Sequence, residues 1–111
     1  MAMDIQQEQQ QGANLQIRLS GDLDIYAAAS LCTHLLSVLH QHNEIELVLD
    51  EVAEVDGAGL QILLATKAEA MRLGVILRLT GHSAAMVRAL QLCRLTAYFG
   101  DPVILTREMA G

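Results

Sequence analysis

Aromatic side chains are nearly missing from this 111-residue chain, which holds one Phe, two Tyr and no Trp. That scarcity leaves little for stacking on bases or sugars. It also obliges a core of Leu, Ile, Val, Ala and Met. Basic residues are few as well: seven Lys and Arg against thirteen Asp and Glu give a formal net charge of −6. This sign offers no footprint for nucleic acid or an anionic membrane and favours a basic protein partner. No apolar run approaches the ~20 residues of a transmembrane helix. The N-terminal MAMDIQQEQQQGAN lacks the basic and apolar regions of a signal peptide, so a cytoplasmic protein with no membrane insertion is expected. The two cysteines, Cys32 and Cys93, both fall in helical patterns, where reduced, buried thiols are expected rather than a disulfide.

Hydrophobic residues nevertheless make up 52% of the chain, enough at this length for one core and not two. Residues 1–111 are expected to form a single domain, with 1–13 a weakly patterned tail or an edge strand over Met3–Gln7 that turns near Gly12. Leu15, Ile17 and Leu19 alternate with Gln16 and Arg18 as in a half-buried strand, ended by Gly21-Asp22. Leu31, Leu35 and Leu39, widened by Ala28, Cys32, Leu36 and Val38, predict a helix over Ile25–Gln41 with Asp24 as its N-cap. Ile45–Leu49 reads as a buried central strand. An acidic loop follows, then a helix after Asp56 with Leu60, Leu63, Leu64, Ala68 and Met71 on its apolar face and Gly74 as C-cap. Val75–Leu79 is a further strand, and Ser83 caps a short helix holding Met86, Val87, Leu90 and Cys93. A segment from Leu95 to Phe99 leads through a turn at Gly100-Asp101-Pro102 to a last short strand at Val103–Leu105. The order predicts an α/β fold: a mixed, mainly parallel β-sheet of four to five strands with helices packed against it.

The search for chemistry centres on the junction between the Ile45 strand and the helix after it, because functional surfaces of open α/β folds gather at the carboxyl ends of strands. Four carboxylates stand there: Asp50, Glu51, Glu54 and Asp56. A receiver-like phosphoacceptor could use Asp50 or Asp56 with Mg²⁺, but it also needs an acidic pair after the first strand and a lysine after the last. Asp22 and Asp24 imitate the pair, yet no lysine follows Ala68. Gly57-Ala58-Gly59 lacks the third glycine or downstream lysine of a phosphate loop, and reads as a sharp turn into a helix. His34, His40, His42 and His82 lack metal-ligand spacing. Ser20, Ser30, Ser37 and Ser83 lack the nucleophile-elbow context. Cys93 beside Arg94 reads as a packing residue. No catalytic, metal or cofactor set assembles, and a non-enzymatic chain is expected.

The spacing of Asp50, Val55-Asp56, Gly59-Leu60 and Leu63-Leu64 resembles the STAS domain of bacterial anti-sigma-factor antagonists. Gly21-Asp22-Leu23-Asp24 and the Val87-Arg88-Ala89-Leu90 helix with Leu95 and Phe99 resemble its flanking segments, so the likeness covers about residues 14–105. The resemblance implies a protein-interaction module whose partner, often an anti-sigma factor with kinase activity, phosphorylates a Ser or Thr directly after the motif aspartate. Gly57 stands at that position here and cannot accept a phosphoryl group; Thr66 and Ser83 are the alternative hydroxyls. The partner-binding residues implied are Asp56, Gly57, Ala58, Gly59, Leu60 and Gln61, with Asp22 and Asp24 from the neighbouring loop. The alternatives are an accessory STAS subunit of a membrane lipid-transport ABC complex and a chemotaxis-associated scaffold.

Overall fold

The computed structural model describes residues 2–9 and 14–92. The expected turn at Gly12, the fate of Cys93, the Leu95–Phe99 segment and the strand at Val103–Leu105 lie outside those residues. The described elements are β1 (Asp4–Gln9), β2 (Asn14–Leu23), α1 (Ile25–Leu39), β3 (Glu44–Val55), α2 (Gly57–Leu73), β4 (Ile76–Thr80) and α3 (Ala84–Leu92). They form a four-stranded sheet in the order β1-β2-β3-β4. β1 runs antiparallel to β2, whereas β2, β3 and β4 are parallel. The mixed, mainly parallel sheet matches the sequence expectation, and the N-terminal segment is an edge strand displaced slightly from Met3–Gln7.

Period-two patterning decides which way each strand faces. Leu15, Ile17 and Leu19 of β2, Ile45, Leu47 and Leu49 of β3, and Leu77 and Leu79 of β4 join one buried cluster with Leu31, Leu35 and Leu39 of α1 and Leu63 of α2. Each such side chain, fully buried, contributes about 2 kcal/mol of transfer free energy. Helices α1 and α2 pack against each other, and α3 packs against β3. The buried face of α2 is Gly59, Leu60, Leu63, Thr66 and Ala70. This corrects the expectation for Ala68 and Met71: both are exposed, Met71 at 67%. The stripe is phased on Leu63, and a Leu-rich helix offers two nearly equivalent apolar phases to a reader of the sequence alone. Gly74, in the left-handed conformation at φ 74°, ends the helix as expected. Ser83 caps α3 through Oγ, which accepts the Met86 amide hydrogen bond at 3.2 Å.

Two expectations fail at the strand ends. β2 does not stop at Gly21-Asp22, and the acidic segment is not a loop: β3 continues through Asp50, Glu51 and Glu54 to Val55. The pairing of β2 with β3 shifts register between Arg18 and Ser20 and again between Gly21 and Asp22, then resumes as far as Leu23 opposite Val55. Gly21 permits this, because its φ of 94° suits glycine and an added Cβ would lie 2.3 Å from the Ala2 carbonyl oxygen. Glycine and acidic residues carry a turn signature in sequence, yet here they form an irregular strand pair whose acidic side chains face solvent.

The opposite face of the sheet carries a polar ladder. Arg18 pairs with Asp50 at 3.2 Å and Arg78 with Glu44 at 3.1 Å. Between them the half-buried Glu46 carboxylate accepts from Gln16 Nε2 at 3.1 Å and from Thr80 Oγ1 at 2.7 Å. The Thr80 hydrogen bond holds the Glu46 carboxyl below its ordinary value against the opposing effect of burial, with help from Gln16 and the Arg78 charge. A carboxyl depressed in the folded state binds fewer protons there than when unfolded. Its stabilisation is therefore complete above the unfolded value of about 4.3 and is lost as pH falls through the lower folded value. Glu46→Gln should lower stability by about 1 kcal/mol near neutral pH in urea unfolding. The gap from the parent should close on acidification below about pH 4.3, because only the parent loses this contribution.

Candidate functional site

Because Leu23 pairs with Val55, two parallel strands end at the same level and the residues after them, Asp24 and Asp56, start two helices side by side. Both act as N-caps in extended backbone conformation. Asp24 Oδ1 accepts from the Tyr26 and Ala27 amides at 3.0 and 3.1 Å. Asp56 Oδ1 accepts from the Gly59 amide at 2.9 Å, while its Oδ2 reaches across to accept the Ile25 amide at 3.1 Å. The Asp56 amide in turn donates to the Leu23 carbonyl at 3.1 Å. One carboxylate thus satisfies otherwise unpaired amides at the starts of two helices.

The glycines after Asp56 have opposite reasons. An added Cβ at Gly57 meets nothing within 4 Å, so the tip is open. At Gly59 a Cβ would fall 2.2 Å from the Leu23 carbonyl oxygen and 2.7 Å from Leu23 Cγ. Only glycine lets α2 begin so close to the end of β2.

Among the residues expected to bind a partner, Asp56, Gly57 and Gln61 are exposed, and Ala58, Asp22 and Asp24 are half-buried. Gly59 is buried and Leu60 is only 7% exposed. That pair packs inward because the third and fourth positions of the helix turn back onto the strand ends, which removes them from an accessible surface. Two residues escaped the sequence reading: Ile25 is 65% exposed and Tyr26 92%. Both begin α1 beside the Asp56 bridge. Helical phasing gives the signal that was available, since Tyr26 lies on the side of α1 away from Leu31, Leu35 and Val38.

The other sequence candidates are committed elsewhere. Asp50 pairs with Arg18 on the polar face, while both Asp56 oxygens cap helices, so the two carboxylates of the receiver-like reading serve different partners. Lys67, the chain's lysine, donates Nζ to the Leu77 carbonyl at 2.9 Å. Thr66, the alternative hydroxyl on α2, is 1% exposed and donates to the Ile62 carbonyl at 2.7 Å. Cys32 is half-buried with a free thiol, and His34 contacts Gln7. Among the described residues no group of three His, Cys, Asp or Glu side chains is placed to hold a metal ion, and no helix is long and apolar enough to cross a membrane.

Removing the Asp56 bridge uncaps α2 and strands the Ile25 amide, so Asp56→Ala should cost about 2 kcal/mol in thermal or urea unfolding, and Asp56→Asn clearly less. Gly59→Ala, which forces backbone apart, should destabilise at least as much as Asp56→Ala; Gly57→Ala should be nearly neutral.

Comparison with known proteins places this geometry. Similar solved structures include a putative anti-sigma factor antagonist from Thermotoga maritima, at a TM-score of 0.80 and 18% identity, covering 96% of this chain and 92% of that one. An anti-sigma factor antagonist from Mycobacterium paratuberculosis aligns at 0.77 and 21% identity, covering 94% and 88%. The Bacillus cell fate determinant SpoIIAA in its phosphorylated form aligns at 0.70 and 21% identity, covering 96% of both chains. At these identities the likeness is one of fold. No curated protein sequence gives a significant match. The family model described as "Mlab, STAS domain" matches residues 6–106, and with nearly its whole length inside that match the chain belongs to the STAS-domain family.

Proposed function

We propose that the chain is a non-enzymatic protein-interaction module of bacterial signalling that docks a protein partner on the paired N-termini of α1 and α2. The observation that carries this reading is the open tip. Gly57 has empty space where a side chain would stand, and Ile25 and Tyr26, large groups exposed to solvent, begin α1 at the end that the Asp56 carboxylate bridges to α2. Exposed aromatic and aliphatic side chains beside a small, close-approach backbone suit the anchors of a protein interface. The docking residues proposed are Asp22, Asp24, Asp56, Gly57, Ala58 and Gln61, joined by Ile25 and Tyr26, with Gly59 and Leu60 holding the tip from beneath. Kinship in fold with anti-sigma factor antagonists, one of them in a phosphorylated form, supports placing the partner among anti-sigma factors or kinase-like proteins.

With Gly57 at the phosphoacceptor position, the module binds without the phosphorylation switch at that residue. A phosphoryl group would add about −1.5 to −2 charge to the contact, and this chain has no hydroxyl there to carry it. The family description "Mlab, STAS domain" favours a second reading, in which the same surface docks on a lipid-transport ABC complex as an accessory subunit.

Capture of the tagged chain from its native cell tests both readings. The parent and Gly57→Ala should retain the same partner, whereas Gly57→Glu should lose it by about tenfold or more, consistent with a charge forced into a contact. Unaltered capture by Gly57→Glu would move the interface elsewhere. A soluble kinase-like protein among the captured chains supports the first reading, and an ATPase with a permease supports the second.

A further inference from the structure

Among the described residues β1 lies at one margin of the sheet and pairs with β2 alone. Its residues, DIQQEQ, run in unbroken register from Asp4 opposite Ser20 to Gln9 opposite Leu15. Alternate N–H and C=O groups of such a strand point outward. Natural sheet margins are blunted by Pro, Lys or a bulge, and β1 has none of these. Register assigns its two faces. Ile5 and Gln7 lie opposite the core-facing Leu19 and Ile17, whereas Asp4, Gln6 and Glu8 lie opposite Ser20, Arg18 and Gln16 on the polar face. Asp4 and Glu8 are exposed, and Arg18, opposite the Gln6 between them, is paired with Asp50. On the other face Met3 and Ile5 are half-buried against the core. With Ala27 and Ser30 of α1 they line a cleft of about 420 Å³. Gln7, the next residue on that face, contacts His34 of α1.

We propose that the margin of β1 takes up an extended segment of a protein partner as an added strand, one that alternates basic and apolar side chains. Two features select that occupant. The backbone of an extended segment supplies the donors and acceptors that the margin leaves open. Directly opposed residues of neighbouring strands share a face. Segment residues opposite Met3 and Ile5 therefore point towards the cleft, which suits an apolar side chain. Those opposite Asp4 and Glu8 meet carboxylates, which suits Lys or Arg. A second copy of this chain fits worse: antiparallel pairing centred on Gln6 sets Asp4 against Glu8 of the other copy, and like charges directly opposite are unfavourable. This surface is additional to the docking tip, since neither Gly57 nor the Asp56 bridge takes part.

The test uses the isotopically labelled full chain and two acetylated, amidated peptides, KVKVKV and EVEVEV. The basic probe should give saturable amide shifts over Asp4–Gln9. At saturation it should slow hydrogen exchange about tenfold or more at alternate amides of that strand, the signature of a new ladder as opposed to charge alone. The acidic probe should bind at least about tenfold more weakly. Asp4→Asn/Glu8→Gln, which changes exposed side chains only, should weaken the basic probe about fivefold or more. No saturable shift up to about 5 mM probe, shifts without added protection in β1, equal binding of both probes, or self-association of the chain through β1 in analytical ultracentrifugation would overturn the proposal. Gly57→Glu leaves β1 intact and should leave this titration unchanged. Failure here thus removes the added strand alone, and failure of the position-57 experiment removes the docking tip alone.

Discussion

The Asp56 carboxylate is the constraint on which the functional end of this molecule depends. Strand pairing brings Leu23 and Val55 level, but level strand ends do not by themselves fix the direction of the helices that follow. Asp56 does so by accepting amides from both helices, while its own amide is held by Leu23. Such side-chain to backbone bonds satisfy donors that would otherwise be orphaned at a helix start, and charge on the acceptor strengthens them. The negative group also faces the positive ends of two helix dipoles. Cap, brace and electrostatic complement reside in one residue.

Upstream, the sheet meets this constraint through an irregularity. The alternation of faces in β2 runs unbroken from Asn14 to Leu23, whereas the two register shifts place extra residues in β3 and break the alternation there, so that the two strands still end level at Leu23 and Val55. The polar ladder of Gln16, Glu46 and Thr80 pins the register of three parallel strands on the face away from the leucine cluster, where a hydrophobic pattern alone specifies register weakly.

Most of the architecture was legible in the sequence because its signals are local. Alternating leucines marked β2, fourfold spacing marked α1, and Asp24, Asp56, Gly74 and Ser83 marked helix ends by the chemistry of capping. What escaped depends on partners far along the chain. Glu51 and Glu54 look like loop residues until Ser20–Leu23 pairs with them, and Met71 looks buried until packing chooses between two apolar phases of α2. The candidate site shows the same division. Asp56 and Gly57 were found from the strand-to-helix change of period. The inward role of Gly59 needed the position of Leu23, and Ile25 and Tyr26 entered only once their exposure was known. The resemblance to the STAS family added the functional meaning of position 57, which no periodicity encodes.

The emptiness around Gly57 has an evolutionary consequence. At most positions near a helix start, a new side chain is screened first by whether the protein still folds. Here that filter is nearly absent, so descendants of this chain can trade residues at the tip with the scaffold indifferent to the exchange. Selection at this position reads the surface alone, and a small hydroxyl-bearing side chain such as serine would find its Cβ in open space.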